Sequence, residues 1–227
     1  MTWRGPLGAV VYRRPSPTGA TDPFLSHRPI RQAVRQFDAD YLEATRAGMW
    51  ADRSALADLD LGSRERILDV GCGTGELTRV LAGESGGRVI GADVDASLLA
   101  TAAAHAPVVR ADAGRLPFRA DAFDLVVCQA LLINLPDPER AVSEFARVSE
   151  DLVAAIEPDN GAVTVDSTVE TEPVLARRAR DRFLDGVETD VSLGAGAREV
   201  FESAGLDVVS TTRYDHERTV EPPYSER

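Results

Sequence analysis

The stretch ILDVGCGTGELT, residues 67–78, constrains this chain more than any other part of it. An apolar run carrying one acid, Asp69, ends in a turn with glycines at 71, 73 and 75, and a helix-like run follows. A strand, a glycine turn and a helix in that order form the ligand-binding corner of an open α/β sheet, where cofactors lie beyond the carboxyl ends of the strands. Glycine at such a corner permits a tight turn and close approach of backbone to ligand. The ligand could be a dinucleotide, a nucleoside triphosphate, or a cofactor without phosphate.

Spacing separates these. A dinucleotide turn reads G-x-G-x-x-G and opens a helix against a pyrophosphate. Here the spacing is G-x-G-x-G, and Glu76 stands where the third glycine is needed, so its carboxylate repels a pyrophosphate. A triphosphate loop needs a lysine after its last glycine, and this chain has none: all 25 basic residues are arginine. A ligand with an amino-acid end and a nucleoside end fits better.

The alternation then continues. RVIGAD reads as a second strand ending in Asp93, and an acid there can accept hydrogen bonds from both ribose hydroxyls. ASLLATAAAH reads as a helix and PVVRAD as a third strand, after which Asp112 can accept from an adenine amino group while the Ala113 N–H donates to the ring. FDLVVCQ is a fourth strand and places Gln129 at the centre of the cleft. DPERAVSEFARVSE is a helix announced by Asp137-Pro138, and DLVAAIEP is a fifth strand. Strands alternating with helices imply an α/β fold: a Rossmann-like, doubly wound, mostly parallel sheet with helices on both faces.

Outside this block the pattern is looser. Residues 1–29, rich in Pro, Gly, Ser and Arg, read as a loose tail that could hold one short ordered piece. Residues 30–227 read as a single domain, with a cofactor-binding core over about 64–160 and an acceptor-side part over about 161–227. From residue 30 a helix is expected with Val34, Phe37, Tyr41 and Leu42 on one face, then a short helix over 54–59. Further helices are expected over 172–186 and 196–204, a strand over about 207–214, and an irregular end from Arg218.

Four ordered motifs, ILDVGCGTGELT, VIGADVDASLL, ADAGRLPF and FDLVVCQALLINLPDPERAVSEFARV, resemble the class I S-adenosylmethionine-dependent methyltransferases. The resemblance is firm over about residues 64–150. Within that class it is closest to the broad small-molecule group that includes quinone-biosynthesis methylases. It implies S-adenosyl-L-methionine as cofactor and methyl transfer to a small-molecule acceptor. Asp69 and the loop of Gly71, Cys72, Gly73 and Gly75 would face the methionine part. Asp93 would hold the ribose, Val94 would also contact the cofactor, Asp112 and Ala113 would read the adenine, and Gln129 would line the wall beside the sulfonium. The segment TRAGMW, residues 45–50, would form a lid, with Arg46 pairing with the cofactor carboxylate.

A sulfonium methyl is already electrophilic, so the protein must chiefly hold an acceptor in line and exclude water. The relatives' histidine in the loop after the fourth strand is replaced by LLINLPDP, where Asn134 can orient an acceptor but cannot act as a base. Glu157 and Asp159, at the end of the fifth strand, are the other acceptor-side candidates. Trp50 and Ile133 are expected to read the acceptor, and His216 is expected at the surface. The family's sheet ends in an antiparallel pair, and only RTVEP remains for the last strand, so a truncated sheet edge is expected. That possibility keeps a second reading open, a cofactor-binding partner without turnover. An RNA or protein methylase is a third, and a nicotinamide oxidoreductase a distant fourth.

Charge bears on partners. The net charge is −12 and the pI about 4.7, which argues against a nucleic-acid partner, since such a partner attracts a basic face. Abundant carboxylates without lysine read as a salt-adapted surface from a halophile; the plainer alternative is a GC-rich genome in which arginine codons displace lysine codons. Two cysteines and three scattered histidines offer neither a disulfide framework nor zinc-ligand spacing, so no metal site is expected. No apolar run reaches the roughly 18 residues of a membrane span, and no signal peptide is read at the N-terminus, so a cytoplasmic protein is expected.

Overall fold

Runs of branched apolar residues make the central strands, because such side chains suit a pleated surface covered on both faces. The computed structural model describes residues 1–13, 37–46 and 48–219. Its strands are β1 (Thr2–Arg13), β2 (Arg66–Val70), β3 (Arg88–Asp93), β4 (Val108–Arg110), β5 (Phe123–Gln129), β6 (Ser149–Pro158), β7 (Thr164–Asp166) and β8 (Asp207–Thr219). The helices are α1 (Ala39–Arg46), α2 (Glu76–Glu84), α3 (Ala96–Ala102), α4 (Pro138–Val148), α5 (Glu172–Asp185) and α6 (Ala197–Ser203).

The eight strands form one sheet in the order β4-β3-β2-β5-β6-β1-β7, with β8 along the other edge of β1. β2 to β6 run parallel, as the alternation requires. The order reverses between β2 and β5, and the glycine turn follows β2 at that switch point. α4 starts as the sequence indicates: the Asp137 carboxylate accepts the Arg140 N–H at 3.0 Å and Pro138 occupies the first turn.

The first strand corrects the reading of residues 1–29 as a loose tail. Thr2–Arg13 is a twelve-residue strand, antiparallel to its neighbours, with β6 along one edge and β8 along the other. Its side chains alternate between the two cores. Val10 and Tyr12 pack with Phe145 of α4 and Phe201 of α6, and the Tyr12 and Phe201 rings stack at 4.2 Å. Ala9 and Val11 pack on the opposite face with Leu77 and Leu81 of α2 and with Leu56 and Leu59. Residues 14–29 and Val34 lie outside the described residues.

The expected truncated edge is corrected with it. The antiparallel neighbour of β6 comes from the start of the chain, and Arg218 and Thr219 continue β8 rather than forming a strand of their own. Trp50 belongs to the core beside Leu56 and Leu59, so it is not an acceptor-reading residue.

Because Val10 is fully buried in a strand paired on both edges, Val10→Asp is expected to destabilise the protein by about 4 kcal/mol or more in urea titration, through an unpaired buried charge. A change below about 1 kcal/mol, the level of ordinary surface substitutions, would mean that this segment is not in the sheet.

Candidate functional site

The turn after β2 folds back on the end of β3. The N–H groups of Gly71 and Cys72 donate to the Ala92 carbonyl at 2.7 and 3.0 Å, and the Gly73 N–H donates to one Asp93 carboxylate oxygen at 2.9 Å. The other Asp93 oxygen accepts the Asp95 N–H at 2.9 Å. Gly71, Gly73 and Gly75 have φ of 71°, 56° and 89°, the left-handed region that side chains avoid. Asp69 lies below this turn, fully buried, and accepts the Thr78 hydroxyl at 2.5 Å, which ties β2 to α2. Burial pushes its carboxyl up to about 6, with Thr78 and Arg46 pulling back.

Above the turn is a cleft of ≈ 850 Å³. Gly71, Gly73, Asp93, Val94, Asp112 and Ala113 line it. Three other sequence candidates lie beneath it. The Asp69 carboxylate faces Thr78. The Cys72 thiol packs behind the turn with Leu99 and Ala102, and burial raises its pKa. Gly75 backs onto Ala102 of α3.

The Arg46 side chain enters the cleft from α1, with a guanidinium nitrogen 3.3 Å from where a Gly73 Cβ would stand. Burial lowers its pKa, against the pull of Asp69, Asp93 and Glu76, and it forms no ion pair among the described residues. The half-buried Arg46 thus sits over the glycine turn and the exposed Arg110 also lines the cleft, while Asp93, Asp95 and Asp112 carry carboxylates along it. A zwitterionic amino acid joined to a nucleoside matches that distribution, and a polyphosphate does not.

A second cavity of ≈ 250 Å³ adjoins the first, and Phe37, Leu42, Arg46, Ala130 and Asn134 line both. Gln129, expected beside the cofactor, lines this second cavity. Its amide nitrogen meets the Met49 sulfur at 2.6 Å, and its buried Oε1 has no hydrogen-bond donor among the described residues. Asn134 donates to the Ala130 carbonyl at 2.8 Å, which fixes its amide where the cavities join. Asp159 lines the second cavity while one carboxylate oxygen accepts the Gly161 and Ala162 N–H groups at 3.0 and 3.2 Å.

Glu157 is not an acceptor-side carboxylate. It is fully buried, and one oxygen accepts the N–H groups of Leu131 and Leu132 at 3.1 and 3.0 Å while the other faces that of Ile133 at 3.4 Å. The Cys128 thiol also points at it, at 3.7 Å. Its carboxylate therefore holds the turn that carries Ile133 and Asn134. Burial pushes its carboxyl up to about 7, against those backbone donors. The second cavity also receives Trp3 of β1, Phe183 of α5 and His216 of β8; the last two lie in the part expected on the acceptor side, whereas Trp3 lies in the stretch read as a tail. The short continuous apolar run AVVY, residues 9–12, is the signal that could have put β1 in the sheet.

The fold and this cleft define a class I S-adenosylmethionine-dependent methyltransferase domain. Residues 68–151 match the family model described as a methyltransferase domain. Among curated relatives, the demethylmenaquinone methyltransferase of Lactiplantibacillus plantarum is 37% identical over 107 residues, 42% of this chain and 45% of that protein. That of Mycolicibacterium paratuberculosis is 40% identical over 100 residues, 44% of this chain and 42% of that protein. The matched stretch thus spans under half the length of each. Two solved structures share the fold more widely. A Bacillus halodurans protein aligns with TM-score 0.51 at 20% identity over 68% of each chain. A chain in a complex that contains the Haloferax volcanii Trm112 methyltransferase activator aligns with TM-score 0.50 at 22% identity over 75% of each chain. The cofactor of this domain is S-adenosylmethionine. No helix among the described residues is long and apolar enough to cross a membrane.

The buried Glu157 generates a pH prediction. Its pKa of about 7 lies above the ordinary 4.5, so the fold favours the protonated form. Its contribution to stability is full below the ordinary value and falls as pH rises through about 7, a loss on the order of 3 kcal/mol. Chemical denaturation across this range is expected to show stability falling as pH rises, and Glu157→Gln to flatten that slope down to the part owed to Asp69. An unchanged slope would remove Glu157 as its source.

Proposed function

We propose that the chain moves a methyl group from S-adenosylmethionine to a small, flat, apolar acceptor. The observation that carries this reading is the convergence of Arg46, the glycine turn and Asp93 on one cleft that opens into a second, aromatic-lined cavity. In this reading Arg46 binds the cofactor carboxylate, and the backbone of Gly71 and Gly73 takes the methionine end. Asp93 holds the ribose hydroxyls, and Asp112 and Ala113 read the adenine. When bound, the cofactor supplies an electrophilic methyl.

The chain's own task is then placement and exclusion of water. Asn134 and Ala130 sit where the cavities meet, so they border the transfer path. Ala130 has φ of 48°, an unusual backbone for a residue with a side chain. Trp3, Phe37, Tyr41 and Phe183 give the second cavity flat apolar walls. The matched relatives are named for a methylation in quinone synthesis, which agrees with an aromatic acceptor.

Calorimetric titration tests the cofactor reading. S-adenosylmethionine is expected to bind and NAD is not. Asp93→Ala is expected to weaken binding by about tenfold or more, since it removes charge-accepted hydrogen bonds and unties Gly73. Unchanged affinity in that variant would overturn the assignment of Asp93.

A further inference from the structure

We propose that Trp3 decides which acceptors the second cavity takes: its indole, laid across Gly5, is the surface on which a planar aromatic ring stacks. This rests on the methyltransferase reading above and adds to it the residue that sets the acceptor class. The start of β1, rather than the turn after β5, then carries the choice of acceptor.

The sheet places Trp3 at the ligand side. β1 is antiparallel to β6, and Leu7 pairs with Pro158, the last residue of β6. Trp3 therefore stands beyond the carboxyl end of β6, where open α/β sheets bind their ligands. There β7 and β8 hold it on both edges, with Val165 and Arg218 as its partners. Alternate residues of a strand share a face, so Trp3, Gly5 and Leu7 lie on the face that Ala9 and Val11 continue into the core. Those three residues line the second cavity together with Phe37, Tyr41 and Leu42. The cavity is thus the end of that core, left unfilled. Gly5 is buried, and its missing side chain makes the room: a Cβ there would lie 2.4 and 2.6 Å from Cη2 and Cζ2 of the Trp3 indole. The indole covers the glycine and meets the His216 ring edge to face, with centroids 5.9 Å apart and planes at 67°.

The other rings at this cavity are placed differently. Phe37 and Tyr41 stack on each other, with centroids 5.6 Å apart and planes at 13°. Phe37 also lines the cofactor cleft, and Tyr41 and Phe183 are exposed. Trp3 is half-buried and lines the second cavity but not the cofactor cleft. An indole pairs with another aromatic ring through its quadrupole, a gain beyond apolar area that a saturated ring of the same skeleton does not make. The cavity of ≈ 250 Å³ is smaller than the pockets that enclose drug-sized ligands, so the ring system it takes is small. Stacking also fixes the plane of the acceptor. It thereby sets the direction from which the reacting atom approaches the junction of the two cavities, where methyl transfer needs alignment.

The test uses the full chain with S-adenosylhomocysteine bound and compares planar 2-naphthol with saturated decahydro-2-naphthol in equilibrium dialysis. The parent protein is expected to bind 2-naphthol about fivefold more tightly than the saturated analogue. Trp3→Leu is expected to lose that preference, with 2-naphthol affinity down about fivefold, decahydro-2-naphthol affinity within about twofold and S-adenosylhomocysteine affinity unchanged. Trp3→Phe should keep most of the preference. Gly5→Ala checks the placement: it is expected to weaken 2-naphthol binding in the parent background and not in the Trp3→Leu background, where no indole is left to displace. Equal affinity of the parent for both probes would overturn the proposal, as would no binding of 2-naphthol to a protein that holds S-adenosylhomocysteine. A Trp3→Leu variant that loses both affinities together, or neither, would reduce Trp3 to packing and overturn it as well. Should the parent fail to bind S-adenosylhomocysteine itself, the methyltransferase reading falls and this proposal with it.

Discussion

The free edge of β6 is the constraint on which the structure depends. β6 ends in the residues that hold the site, Glu157 and, just beyond, Asp159. A strand so placed needs partners on both edges, because unpaired backbone groups in a buried sheet cost free energy. β5 supplies one edge in parallel and β1 the other in antiparallel register, from Leu7 opposite Pro158 to Arg13 opposite Leu152. β1 is longer than this pairing requires. Its first residues run past the end of β6 and pair with β7 instead, Thr2 to Arg4 opposite Asp166 to Thr164. Pro6 falls in the gap between those two partners. Its carbonyl accepts the Asp159 N–H at 3.1 Å, so its ring nitrogen faces the same gap, where no ladder acceptor waits for an N–H. A proline that would break a central strand elsewhere is accommodated there.

The site's electrostatics follow from two buried carboxylates with different duties. Asp69 holds α2 through Thr78, and Glu157 holds the turn at 131–134 through backbone N–H groups. Burial raises the pKa of each, and polar donors reduce that shift. Neither carboxylate is available as a ligand group, yet both fix the walls between which a ligand lies. Asp93 does both jobs, since it secures the glycine turn while it borders the cleft. With the half-buried Arg46 among these acids, the cleft is arranged for a ligand of mixed charge. Glu76, placed at the first turn of α2, adds the acid that a pyrophosphate would meet.

The parallel half of the fold was legible because it repeats one simple rule. Ile67, Leu68 and Val70, interrupted only by Asp69, and then Leu125, Val126 and Val127, are apolar runs bounded by turn residues, as strands buried on both faces must be. Their ends follow from the same pattern, so Gly71, Asp93 and Asp112 could be located on the cleft from sequence. β1 was not legible for the opposite reason. Gly5, Pro6 and Gly8 read as loop residues, and only the distant pairing with β6 and β8 makes sense of them. Glu157 was located but misassigned. Sequence places an acid at the end of a strand, and only the conformation of the turn at 131–134 aims three N–H groups at it. Gln129 was likewise placed at the strand end without its direction, which is toward the second cavity.

This division between legible and illegible parts has a physical origin. The cofactor side is built by local connections, each strand handing directly to the helix that follows, so short-range pattern suffices. The second cavity is assembled from segments far apart in sequence: Trp3 from β1, Tyr41 from α1, Asn134 after β5, Phe183 from α5 and His216 from β8. No local motif can announce such a cavity, because its members share no period and no neighbour in the chain. The same arrangement lets the two halves vary independently. Changes in β1, α5 or β8 reshape the second cavity without disturbing the bonds that tie Gly71, Cys72 and Gly73 to the end of β3. In the proposed reading, acceptor choice therefore resides in the elements that the sequence reveals least, and cofactor binding in those it reveals best.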